Sequence, residues 1–211
     1  VSDPSETTPP KTKETLNARA ALLRLREKRE QITREYADGK INAAQYNAMY
    51  RYYMEKTTII EKMLERDPKS ESWRNVAAQG STAFLRERFE ARLLYCVVFR
   101  RGDKTPLLTE GRLPQKAAVE LHHTLQSLWS SPHWRSGVAR KSLGDGMWLL
   151  LILGDRSLTM TLFLFQPATS LINKVRDLHT DFEQANALML LRGSPASQMV
   201  FPQRALFQPA T

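Results

Sequence analysis

Four histidines and one cysteine are the residues of this chain best suited to chemistry: His122, His123, His133, His179 and Cys96. A metal centre needs converging ligands, and His122 and His123 are neighbours in a helical stretch, so their side chains diverge. No HxxxH, CxxC or HExxH spacing occurs, and one cysteine cannot anchor a sulfur site. A surface or interface position is the expectation for the histidines. Cys96 lies within LLYCVVF, where a buried and inert thiol is expected; a nucleophile would sit at an exposed turn beside a base. Gly144-Asp145-Gly146 lacks the Lys and Ser or Thr of a phosphate loop and precedes an apolar run, so it reads as a β-turn. Asp103, Asp145 and Asp155 all fall at turns, where the aspartate side chain bonds its own backbone. No catalytic, cofactor-binding or metal-binding residue is assigned, and a non-enzymatic protein is expected.

Charge raises a different chemistry. The formal net charge is +9 and the pI about 9.8, which suits nucleic acid or an acidic surface. The excess is concentrated in residues 69–101, where seven basic side chains meet three acidic ones. Arg86, Arg88, Arg92, Arg100 and Arg101 are the candidate anion-binding residues there. Elsewhere acids and bases interleave, as on a solvated helix surface.

The elements that would position these residues follow from apolar spacing. Residues 1–13 are rich in Pro, Ser, Thr and Lys and read as disordered. Residues 14–68 form a helical hairpin: Leu22, Leu25, Ile32 and Tyr36 make one stripe, and Tyr46, Met49, Tyr50, Tyr53, Ile60, Met63 and Leu64 the other. Asp38-Gly39 breaks the first helix, and Asn42 with Gln45 three residues on has the spacing of a capping box. Residues 69–90 read as a linker helix that Gly80 interrupts. A domain over 91–192 follows, with strands at Leu93–Phe99, Thr105–Glu110, Val138–Leu143, Met147–Leu153 and Leu158–Phe165. The first of these is apolar on both faces and so central; Pro106 puts the second at an edge. Amphipathic helices are expected at Gln115–Trp129 and Thr169–Leu191, and a flexible tail over 193–211. The fold class is α+β: an N-terminal helical hairpin, then a five-stranded, mostly antiparallel sheet with flanking helices. No run reaches the roughly 18–20 apolar residues of a membrane span. The N-terminus carries no apolar signal core, and a cytoplasmic location is expected. The chain opens on Val1 rather than Met, as a processed or trimmed chain, or one read from an unusual start codon, would.

The order β–β–α–β–β–β–α, with the hairpin GMWLLLILGDRSLTMTLFLF before the last helix, resembles the Roadblock and longin group of profilin-like domains over about residues 80–192. The resemblance implies a domain without a catalytic centre, one that dimerises through its middle helix and an edge strand and scaffolds or regulates small GTPases and motor complexes. The long hairpin departs from that compact pattern. Its stretch DGKINAAQYNAMYRYYMEKTTIIEKML is similar to the bacterial helical hairpins called SHOCT, which implies an oligomerisation or docking appendage.

Two functions are therefore expected. The first is an interaction or scaffold module that self-associates, with Tyr46, Tyr50, Tyr53, Leu121, Leu125 and Trp129 as partner-binding residues and no cofactor. The resemblance implies a small GTPase or other signalling protein as its further partner. The alternative is a nucleic-acid or acidic-surface binder using the Arg-rich segment. One repeat stands outside both: Phe165–Thr169 (FQPAT) recurs as Phe207–Thr211, either by coincidence in a Pro- and Ala-rich tail or because the tail docks where the strand ends.

Overall fold

Stripes of apolar residues at helical spacing make the first part of the chain helical, and short apolar runs make strands that alternate with amphipathic helices in the rest. A computed structural model describes residues 12–78, 80–131 and 134–207, with side chains from Ala18 onward. The expected disorder of residues 1–11, His133, and the second FQPAT copy beyond Phe207 lie outside the described residues. The chain divides into two compact units, 1–38 with 45–88 and 39–44 with 89–211.

The first unit is helical. Helices α1 (Thr12–Ala37) and α2 (Ala43–Arg66) are followed by the short α3 (Trp73–Ala78) and α4 (Ala83–Arg88). Leu25, Ile32, Met49, Tyr53, Ile60 and Trp73 are buried. Tyr36 stacks on Tyr46 with ring centroids 4.8 Å apart, and Tyr46 meets Tyr50 at 5.5 Å. Gly80, at φ +90°, separates α3 from α4, a conformation that a side chain would strain. Of the segment expected as a linker, 69–90, the part up to Arg88 belongs to this unit. Gln45 Nε2 donates to the Arg86 carbonyl at 2.7 Å, and Arg86 pairs with Glu35.

The second unit holds a five-stranded antiparallel sheet in the order β2-β1-β5-β4-β3. Its strands are β1 (Arg92–Arg100), β2 (Pro106–Gly111), β3 (Gly137–Gly144), β4 (Met147–Leu153) and β5 (Ser157–Leu164). The register runs Val97↔Met160, Leu151↔Met160 and Ala139↔Leu151. Helix α5 (Gln115–Ser130) covers one face, where Leu121 and Leu125 cluster with Val97, Phe99, Leu149, Leu151, Leu158 and Met160. Helices α6 (Thr169–Ala185) and α7 (Ala187–Arg192) lie on the other, with Val175 and Ile172 against Leu150, Ile152 and Phe163. The short segment 39–44 joins this unit: the Ser170 amide donates to the Gly39 carbonyl at 3.0 Å, and Asn42 Nδ2 donates to the Phe89 carbonyl at 2.8 Å.

Two expectations are corrected here. The last helix is two helices, because Asn186 interrupts it: its Nδ2 donates to the Phe182 carbonyl at 2.9 Å and the Val200 carbonyl at 2.7 Å. An asparagine that bonds backbone in this way competes with the helix ladder. The tail, over its described residues 193–207, is not free. Gly193, at φ +71°, caps α7, and the chain then folds back so that Met199 and Phe201 join Cys96, Val98, Leu108, Phe182 and Leu190 in one cluster. Phe201 stacks on Phe182 at 5.3 Å. The tail supplies part of the second face's cover, which is the physical reason it is ordered.

Candidate functional site

Strand β3 is one of the sheet's two edges, β2 being the other, and it is the more exposed of the two. Its sequence, GVARKSLG, has little apolar content, and it pairs with β4 alone, so among the described residues no strand pairs with its outer row of backbone N–H and C=O groups. Residues Gly137–Ser142 are exposed on both faces, whereas β4 beside them is almost wholly buried. A shallow cavity lies along each face of β3, between the strand and the helix layer on that side. One, of about 470 Å³, has Val138, Ile152 and Ala187 among its apolar lining and Arg156 and Arg176 among its cations. The other, of about 410 Å³, is lined by Leu128, Leu151 and Leu153 together with His123, Arg140 and Lys141.

Alternation along the strand sends Arg140 and Lys141 to opposite faces. Lys141 is the register partner of Leu149 on the α5 side, and its Nζ reaches Glu120 Oε2 at 2.9 Å. That bond holds the Glu120 carboxyl below the usual carboxylate range. Arg140 is the register partner of Leu150, borders the smaller cavity and has no acidic partner among the described residues.

The first cavity is floored by a polar cluster. Glu183 on α6 accepts the amides of Asp155 (3.2 Å) and Arg156 (2.8 Å) and the Ser157 hydroxyl (2.8 Å), so it pins the β4–β5 loop. His179, one turn earlier, places Nδ1 2.8 Å from Thr159 Oγ1 and Nε2 3.9 Å from Glu183 Oε1. Burial drives the His179 pKa down, against the opposing pull of Glu183. Gly154 closes over this pair, since a Cβ there would collide with His179 Nε2 and Glu183 Oε1. The set looks like a hydroxyl–imidazole–carboxylate relay. A nucleophile must reach a substrate, however, and Ser157 and Thr159 are both 0 % exposed. What the cluster does is hold a loop and a helix to the sheet.

The remaining candidates scatter. His122 and His123 are exposed as expected, but His179 is 3 % exposed, a correction to the surface position expected of it. Its place was readable: residue 179 is four after Val175 and three before Phe182, on the buried stripe. Cys96 is fully buried, and burial pushes its thiol up to about 12. Tyr46 and Tyr50 are half-buried and Tyr53 is buried in the first unit. Leu121 and Leu125 are buried against the sheet, so the partner surface expected of them is occupied by the chain's own β1 and β4. Trp129 packs edge-on against Phe99 at 5.6 Å. The arginines divide between the units. Arg86 pairs with Glu35 in the first, and Arg88 lies beside it on α4. In the second, Arg92 is exposed at the start of β1, Arg100 donates to the Ser194 carbonyl, and Arg101 donates to the Asp155 carbonyl and lies over Trp134.

Among the described residues no three of His, Cys, Asp and Glu gather where they could hold a metal ion, and no helix is long and apolar enough to cross a membrane. Comparison with protein-family models, curated proteins and solved structures gave no match in any of the three.

Proposed function

We propose that this chain is a non-enzymatic protein–protein interaction module that takes an extended segment of another polypeptide as a sixth strand on β3. One observation carries the reading: β3 is an eight-residue edge strand exposed on both faces, with a cavity along each. Strand addition uses the unpaired backbone row for affinity and the flanking cavities for alternate side chains. The Roadblock- and longin-like order of elements supports a scaffold role, and a small GTPase or other signalling protein is the partner class that likeness implies.

The test uses the full chain and a phage-displayed peptide library, with Ala139→Pro and Arg140→Pro as paired variants. Of two adjacent strand residues, one N–H faces β4 and the other faces away. One proline therefore breaks the β3–β4 ladder and lowers the melting temperature. The other blocks only the outer row. Peptides enriched on the unaltered chain and lost on the stable proline variant support strand addition. Peptides that bind the stable variant equally well, or no enrichment at all, overturn it.

A further inference from the structure

Resting on that reading, we infer that the segment β3 accepts is acidic, with aliphatic side chains that enter the two flanking cavities. The strand GVARKSLG carries two cations and no acid. Acids near this edge are already engaged: Glu120 with Lys141, Glu183 with the β4–β5 loop, and Asp155 with the Ser136 hydroxyl at 2.7 Å. Arg140 on the strand and Arg156 at the rim of the larger cavity have no acidic partner among the described residues. Each cavity also offers apolar lining: Val138, Ile152 and Ala187 beside the Glu183–His179 cluster in the larger, and Leu128, Leu151 and Leu153 in the smaller. An added strand would send successive side chains to alternate faces, so one alternating segment could reach both cavities.

The same charges disfavour the other occupants. A second copy pairing β3 to β3 antiparallel would set Arg140 and Lys141 close to their own counterparts, and like charges opposite one another destabilise a pair. Cations on an edge are a common guard against self-pairing, and here that guard also selects for acid. A nucleic acid meets the cations but has no row of amides and carbonyls to complete the strand edge.

Fluorescent peptides of about eight residues, the length of β3, test this by anisotropy. One alternates Val or Ile with Glu; in its two controls Gln or Lys replaces every Glu. Against the full chain the Glu peptide is expected to bind at least about tenfold more tightly than the Gln peptide, an advantage that shrinks as salt screens it. The Lys peptide is expected not to bind. Arg140→Glu with Arg156→Glu, both at exposed positions, should reverse the order of Glu and Lys. Equal binding of Glu and Gln peptides, lost on the stable proline variant, would overturn the acidic preference and leave strand addition standing. Failure of all three peptides would count against both. Displacement of the Glu peptide by an oligothymidylate that itself binds more tightly would move the site to nucleic acid, and a β3-dependent dimer by light scattering would move it to a second copy.

Discussion

Thr159 Oγ1 and His179 Nδ1 lie 2.8 Å apart, each shut off from solvent, and join the inner strand β5 to helix α6. Around the ring stand Glu183 from its own helix, Gly154 from the β4–β5 loop, and the Gln203 amide, which reaches Thr159 from the C-terminal segment at 3.4 Å. Glu183 is the acid that faces it. Because burial lowers the His179 pKa below its ordinary value of 6.5, the unfolded chain binds the proton more readily than the folded one. This contribution to stability is complete above about pH 6.5 and declines as pH falls through that value toward the folded pKa. Urea midpoints between pH 5 and pH 8 should fall on the acid side, and His179→Gln should flatten that slope. An unchanged slope in the variant would remove His179 as its source.

Asn186 fixes the C-terminal segment from a fully buried position. Its amide donates to the Val200 carbonyl and its carbonyl accepts the Val200 amide at 2.9 Å. Asn186→Ala leaves those groups without partners, at a cost of about 1–3 kcal/mol. Limited proteolysis read by mass spectrometry should cut the variant within 193–207 well before the sheet. A variant as resistant there as the unaltered chain would mean that Phe201 and Met199 hold the segment without it.

Cys96, with no exposed surface and a thiol pushed up to about 12, should be inert to a maleimide at pH 8 while the chain is folded. Added urea should bring labelling to one per chain at the rate of unfolding. Rapid labelling of the native protein would place the thiol at an opening that the core cluster with Phe182 and Leu190 does not provide.

The sheet was legible because its strands are apolar in runs. LLYCVVF has both faces covered, and Pro106 lies on the edge strand β2, as such a residue must. The turn at Gly39, with φ +70°, also follows from local chemistry, and α2 starts at Ala43 directly after Asn42. Long-range contacts were not legible. Nothing local distinguishes Asn186 from any polar residue on a helix, since its role depends on Val200 fourteen residues away. Met199 and Phe201 have no helical or strand period, so their burial leaves no pattern. Leu121 and Leu125 presented an apolar stripe, and a stripe alone does not say whether the chain or a partner covers it. The edge on β3 was hidden for a related reason: a charged strand looks the same whether its charges protect it or recruit.

The central pairing of β1 with β5 has a consequence for synthesis. Val97 finds Met160 only after about sixty further residues have been made, whereas β3, β4 and β5 join through adjacent hairpins. At a ribosomal rate of roughly 5–20 residues per second, LLYCVVF waits on the order of 3–12 s for β5, with β2 and later α5 as the partners already made. During that interval one edge of an apolar strand is left without its inner partner, an exposure that slower translation across residues 100–160 would lengthen.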